Sequence, residues 1–184
     1  MKITGLELIP VFSTREMGRS CPADLEKAVS HHVVVFLHTD AGIRGLGEMS
    51  DINFSPAPRV VAALRARLEA VLVGKSPFAR TAIRAALEQQ EWEHQVICGV
   101  DIALHDALGK ALDVPLYQLF GGKYRERIPF AYPLAPCRDE ADVEANLARI
   151  ERLQDRGHPI IRYYFGRNLE QDERFLTRLR KRWG

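Results

Sequence analysis

An α+β unit followed by a βαβα segment is the fold class predicted by this 184-residue sequence. Three observations predict it. Short apolar, largely β-branched stretches separated by turn chemistry occupy the first ~50 residues. Apolar positions then recur at three-and-four spacing up to residue 111. Beyond residue 128, strand-like and helix-like stretches alternate.

The run 2–12, KITGLELIPVF, has strand character, and 13–22, STREMGRSCP, is a polar loop with a glycine and a proline. Residues 33–37, VVVFL, form a second apolar strand. Asp40, Ala41 and Gly42 supply a turn, and 43–47 return as a third strand, so the segment predicts an antiparallel hairpin. The stretch 51–58, DINFSPAP, is a second irregular loop. Val60, Leu64, Leu68, Val71 and Leu72 predict a helix over 59–73 that Gly74 ends, and 78–92 predicts another.

A third helix carries the stripe Val96, Ile97, Val100, Ala103, Leu104, Ala107, Leu108 and Ala111, with Asp101, Asp106 and Lys110 between its members. Val114 and Pro115 stop it, 116–120 form an apolar turn, and Gly121 with Gly122 break the chain before a strand over 128–132. The boundary between two units falls at about residue 125. The first, 1–125, is a three-stranded antiparallel meander followed by helices.

In the second unit, 126–184, Asp139 stands at an N-cap before Val143, Leu147, Ile150 and Leu153, and Gly157 closes that helix. Residues 160–165 follow as a strand. Asn168 with Gln171 has the form of a capping box, opening an amphipathic helix through Phe175, Leu176 and Leu179.

With 46% hydrophobic and 27% charged residues and a formal net charge of +2, the chain can bury a core and carries no bias toward nucleic acid or anionic membrane. No apolar run approaches the ~18 residues a membrane span needs, and the N-terminus lacks a signal-peptide pattern. Cys21, Cys98 and Cys137 are odd in number and far apart, so reduced thiols and a cytoplasmic location are expected. The basic residues Arg174, Arg178, Arg180, Lys181 and Arg182 share a helix with Phe175, Leu176 and Leu179, which favours a solvated helix face over nucleic-acid binding.

The stretch GVDIALHDALGKALDVPLYQLFGG, 99–122, resembles the end of the capping domain in the mandelate racemase/muconate-lactonizing branch of the enolase superfamily, and VVVFLHTDAGIRGLGE, 33–48, is similar to that domain's second and third strands. The resemblance implies an enolase-like N-terminal capping domain over 1–125 and, over 126–184, the first two βα units of an incomplete (β/α)8 barrel. Such a barrel takes ~250 residues, whereas residues 128–184 supply 57. A partial, truncated polypeptide is therefore expected, with a third strand following Gly184. Two parallel strands leave open edges, so the chain alone is expected to self-associate or aggregate.

The family's members bind Mg2+ through carboxylates on the third, fourth and fifth barrel strands. The resemblance thus implies Mg2+ in the parent enzyme, with no metal ligand in this chain and only weak, nonspecific Mg2+ binding by it. It implies a carbon–oxygen lyase acting on a small acid sugar or other carboxylate, and a homo-oligomer. The metal would stabilise the enediolate left by proton loss. A racemase or cycloisomerase of the same superfamily, and a non-catalytic remnant or interaction module, are the alternatives.

Arg162, Tyr163 and Tyr164 stand where many relatives carry Lys-x-Lys. Residues i and i+2 of a strand point the same way, so Arg162 and Tyr164 share a face and Tyr163 points away. A guanidinium beside a phenol favours the phenolate, and the resemblance makes Tyr164 and Arg162 a proton-abstracting dyad. Read without the resemblance, Tyr164 packs in the barrel and Arg162 pairs with a carboxylate. Departure from Lys-x-Lys counts against a lysine-based cycloisomerase or two-base racemase. The loops 13–22 and 51–58 correspond to the family's lids, which implies substrate contacts for Arg15, Arg19, Asp51 and Asn53.

Other signals are weaker. His31 and His32 alternate across a strand and lack a third ligand at useful spacing. Trp92 and His94 precede the third helix and either pack or face a pocket. His105 and Asp106 lie on its polar side. Gly42, Gly45 and Gly47 make no dinucleotide fingerprint.

Overall fold

The computed structural model describes residues 1–14, 29–158 and 160–184. Arg15, Arg19 and Cys21 lie outside the described residues. The chain divides into two compact units. The first is built on Met1–Ser13 and Val29–Tyr124, the second on Arg125–Gly184.

In the first unit, strands β1 (Ile3–Thr14), β2 (Val29–Thr39) and β3 (Arg44–Met49) form a sheet in the order β1-β2-β3. β2 and β3 are antiparallel, with Phe36 opposite Leu46 and His38 opposite Arg44. Gly42, at φ 74°, takes the left-handed conformation the turn requires. Helices α1 (Pro58–Leu72), α2 (Arg80–Glu88) and α3 (His94–Leu112) follow. The helix expected over 78–92 is shorter than its apolar pattern, because Pro77–Ala79 form a 3₁₀ turn and Glu91 adopts φ 53°. Trp92 is consequently outside any helix, yet buried.

The core gathers one face of each element: Ile3 and Leu6 of β1, Val33, Val35 and Leu37 of β2, Leu68 and Leu72 of α1, Ile83 and Leu87 of α2, and Val100 and Leu104 of α3. β3 points Gly45, Gly47 and Met49 inward. A Cβ on Gly47 would stand 2.1 Å from the Gly99 carbonyl oxygen, and one on Gly45 would stand 2.1 Å from that of Ala103. These glycines thus admit α3 to near backbone contact with the strand.

Both outer strands of this sheet have backbone amides occupied by helix carboxylates. Glu69 Oε1 accepts from Leu6 N at 3.0 Å, and Asp106 Oδ2 accepts from Leu46 N at 2.7 Å. Asp106, on the polar side of α3, is therefore interfacial, a partner of β3. His105 is likewise engaged, its Nδ1 2.9 Å from the Asp101 carbonyl and its ring against Phe120. α3 ends at Asp113, left-handed at φ 54°, ahead of Pro115 and the short helix α4 (Leu116–Leu119).

The second unit contains β4 (Tyr132–Leu134), α5 (Glu140–Asp155), β5 (Ile161–Tyr163) and α6 (Leu169–Trp183). β4 and β5 pair in parallel, Tyr132 with Ile161, Pro133 with Arg162 and Leu134 with Tyr163. The first strand lies later than the stretch 128–132 that apolar character predicts. Pro129 has no N–H to contribute to a ladder, and Ile128 and Phe130 are exposed. Leu134, Cys137, Val143, Leu147, Ile150 and Phe175 form the core, with Tyr132, Ile161, Tyr163, Leu179 and Trp183 packed on it. Leu176, expected in the buried stripe, is exposed, and Asp172 takes a buried place instead.

The caps follow the sequence in part. Asp139 Oδ1 accepts from Asp142 N at 2.9 Å at the start of α5. Asn168 Oδ1 accepts from Gln171 N at 3.4 Å at the start of α6, but Gln171 Oε1 is buried without a hydrogen-bond partner, so the reciprocal half of the box is not made. No helix among the described residues is long and apolar enough to cross a membrane.

Candidate active site

Strand periodicity divides β5 chemically. Ile161 and Tyr163 turn toward α5 and α6, while Arg162 is exposed. Tyr164 follows the strand, and its N–H donates to the Leu134 carbonyl at 3.0 Å, extending the ladder by one residue. The structure brings Arg162 and Tyr164 together: the guanidinium carbon stands 4.5 Å from the Tyr164 ring centroid, a cation–π contact. Tyr164 is 44% exposed, and its hydroxyl has no hydrogen-bond partner among the described residues.

The adjacent tyrosine is in the opposite condition. Tyr163 packs its ring 4.5 Å from that of Phe175 and donates its hydroxyl to Asp172 Oδ1. The Cys137 N–H is shared between Tyr163 Oη at 3.1 Å and Asp172 Oδ1 at 3.4 Å. Burial, and then the bond to Asp172, push the Tyr163 phenol well above its ordinary value. Tyr163 is thus held neutral, and its proton is committed. Burial also raises the Cys137 thiol.

The loops after β4 and β5 are tied into the same network. Gly166 N donates to Asp172 Oδ2 at 2.8 Å, and Asn146 Nδ2 donates to the Ala135 carbonyl at 3.1 Å. Asp142 Oδ2 receives both the N–H and Nε of Arg138, at 3.0 and 2.9 Å, and Asn168 Nδ2 donates to the Arg138 carbonyl at 3.0 Å. The sequence reading missed this group. Its available signal was a carboxylate, Asp172, at the stripe spacing of Phe175 and Leu179, where an apolar residue is the norm.

The lid residues expected to meet substrate are placed only in part. Asp51 and Asn53 are exposed in the segment between β3 and α1, and Asp51 adopts φ 48°. Both belong to the first unit. At the base of that segment His32 Nδ1 lies 3.0 Å from Glu48 Oε1, which also accepts from Ser50 Oγ at 2.6 Å. Phe54, Leu64, Arg67, Trp92 and Val96 are among the residues lining a surface cleft of about 320 Å³, with the Arg67 guanidinium over the Trp92 ring at 4.2 Å. His94 is exposed, its Nε2 3.3 Å from Cys98 Sγ.

Among the described residues no group of three or more His, Cys, Asp or Glu side chains is placed to hold a metal ion. These residues therefore do not fit an Mg2+ centre. On α6 the basic residues face carboxylates: Arg174 pairs with Glu140 and Glu170, Arg178 with Glu140 and Glu144, and Arg182 with Glu151.

Residues 21–121 match the mandelate racemase/muconate lactonizing enzyme N-terminal domain. A D-xylonate dehydratase of Haloferax volcanii is 36% identical over 121 residues, covering 61% of this chain and 28% of that protein. An N-succinyl-L-Arg/Lys racemase of Bacillus cereus is 27% identical over 156 residues, 83% of this chain and 41% of that protein. The muconate lactonizing enzyme of Pseudomonas putida superposes with a TM-score of 0.78 at 23% identity, over 100% of this chain and 50% of that one. The chain thus spans half or less of the length of these relatives.

Proposed function

This chain belongs to the mandelate racemase/muconate lactonizing enzyme family, and from that premise we propose that it supplies the capping domain and first two βα units of an acid-sugar dehydratase. In this reading Tyr164, as the phenolate, takes the proton alpha to the substrate carboxylate, the electron pair of that C–H bond forms the new double bond, and the beta hydroxyl departs with a proton from solvent as water, while Tyr164 returns the abstracted proton to solvent. Arg162, held against the Tyr164 ring, supplies positive charge beside the phenolate.

The contact between Arg162 and Tyr164 carries the reading. It sets a permanent cation over the ring of an ionisable tyrosine, on the face of β5 turned away from its own core. The neighbouring Tyr163 cannot serve, because its proton is bound to Asp172 and its phenol is shifted upward. The likeness to a D-xylonate dehydratase supports the choice of acid-sugar dehydration within the family. Family members use Mg2+, for which the described residues form no ligand set.

Racemisation is the second reading, supported by the likeness to an N-succinyl-L-Arg/Lys racemase. Both begin with loss of an alpha proton and diverge afterwards. The test is solvent exchange of that proton in a polypeptide carrying this chain with its remaining strands. Exchange that is lost in Tyr164→Phe, with a dehydrated product in the parent, supports the proposal. Exchange at the parental rate in Tyr164→Phe removes Tyr164 as the base, and inverted substrate without dehydration favours the racemase.

A further inference from the structure

Asp172 is 3% exposed and sits in the first turns of α6, yet its hydrogen bonds reach well beyond that helix. Oδ1 receives the Tyr163 hydroxyl from β5 and, at 3.4 Å, the Cys137 N–H from the loop after β4. Oδ2 receives the Gly166 N–H from the loop after β5, at 2.8 Å. One buried carboxylate therefore joins the ends of both parallel strands to the helix behind them.

Tyr164 lies between these attachments. Its own N–H is fixed to Leu134 O at 3.0 Å, the residue before it is held at its hydroxyl, and Gly166 is held two residues later. Gly166 has φ 105°, a backbone conformation that L side chains rarely adopt, and the chain bends at Arg167 just before α6. With backbone positions fixed on both sides, few directions remain for the Tyr164 ring, and Arg162 on the same face can rest against it. Charge-assisted bonds to a buried carboxylate are among the stronger means of fixing a loop.

We propose that Asp172 is the positioning residue for Arg162 and Tyr164, aiming them through the two strand-end loops that it ties together. It does not touch them. The proposal rests on the proton-abstraction reading for its consequence in turnover, but the alignment itself can be observed in the 184-residue chain without any reaction.

The first measurement is nuclear Overhauser contact between the Arg162 side chain and the Tyr164 ring. Asp172→Asn preserves size but presents an amide N–H₂ to a backbone donor, so at least one tie is lost. The Arg162–Tyr164 contact is expected to weaken severalfold, while the contact between the Tyr163 and Phe175 rings persists as the sign of an intact core. Should Asp172→Asn not fold, Tyr163→Phe removes one tie and keeps the ring, and a smaller loss of the same contact is expected. An undiminished contact in the folded variant overturns the proposal.

The second measurement is kinetic, in the polypeptide with its remaining strands. Asp172→Asn is expected to lower kcat and alpha-proton exchange together by ~10²-fold, the order produced by a displacement of about 1 Å, with KM within about twofold. A lower melting temperature with parental exchange would mean that Asp172 only stabilises the unit, and would sink the positioning role. If Tyr164→Phe exchanges normally, the abstraction reading falls by itself, and the contact measurement still decides whether Asp172 aims the pair.

Discussion

The Asp106 carboxylate accepts the backbone N–H of Leu46 at 2.7 Å, so a side chain of α3 occupies the place that a further strand would take beside β3. Lys110 completes the arrangement, donating to Asp106 Oδ2 at 2.6 Å and to the Arg44 carbonyl at 2.8 Å. An unpaired strand edge is a template for association. Asp106→Ala is therefore expected to cost about 1 kcal/mol and to increase association. Urea unfolding and light scattering check the two effects, and a variant with parental midpoint and scattering would show that the edge needs no such cover.

Gly47→Ala tests the approach of α3 to β3. Its new Cβ would meet the Gly99 carbonyl oxygen at 2.1 Å and Ala103 N at 2.8 Å, both backbone atoms, so no rotamer change gives relief. The expected loss is about 3 kcal/mol, seen as a fall in Tm of roughly 10 °C. Gly5→Ala is the control, because its Cβ meets only Glu69 Oε1 at 3.5 Å.

Each unit illustrates what a single sequence can and cannot disclose. Asp139 was legible as a cap because the partner amide lies three residues away. The like orientation of Arg162 and Tyr164 was legible because strand periodicity is local. Gly45 and Gly47 were not, since their requirement is imposed by a helix more than fifty residues later. The same holds for Asp106, whose partner Leu46 is distant in the chain. Apolar character alone set the first strand of the second unit too early, at Ile128, where Pro129 denies the ladder a donor. Asp172 at the stripe spacing of Phe175 and Leu179 marks a buried carboxylate, but its partners depend on α6 docking against two strands, which local spacing does not encode.

Arg162→Lys probes the shape of the cation as well as its charge. A flexible ammonium replaces the planar group that rests on the Tyr164 ring. The fold is expected to be retained, with turnover reduced by about 10-fold or more, whereas Tyr164→Phe should reduce it by the ~10²–10⁴ typical of a lost acid/base group. Steady-state kinetics beside a thermal melt distinguishes chemistry from folding.

The Tyr163 phenol, shifted upward by burial and by its bond to Asp172, gives the second unit a defined alkaline weakness. An unfolded tyrosine releases its proton near pH 10, while the folded one retains it, so the unfolded state binds fewer protons above that pH. The stabilisation is complete below pH 10 and falls as pH rises. Tyr163→Phe is expected to be less stable than the parent at neutral pH, with the difference narrowing above pH 10. Denaturant midpoints at pH 7, 9 and 11 measure it, and a constant difference would contradict the assignment.

Calorimetric titration of the 184-residue chain with Mg2+ is expected to give no stoichiometric micromolar site, because the described side chains gather no set of three candidate ligands. A one-to-one isotherm in that range would require ligands other than those described.

The parallel pairing of β4 and β5 sets an order of assembly. In the first unit β2 and β3 meet across a tight turn, with His38 already opposite Arg44, and such a hairpin can close within microseconds. Tyr132 and Ile161 meet only after α5 has carried the chain back, so their contact must await a long loop closure. Asp139 favours the start of that helix before either strand has a partner. The strand ends bearing Arg162 and Tyr164 are consequently among the last parts of the second unit to lock, and β4, which leaves the ribosome first, waits unpaired until β5 follows it.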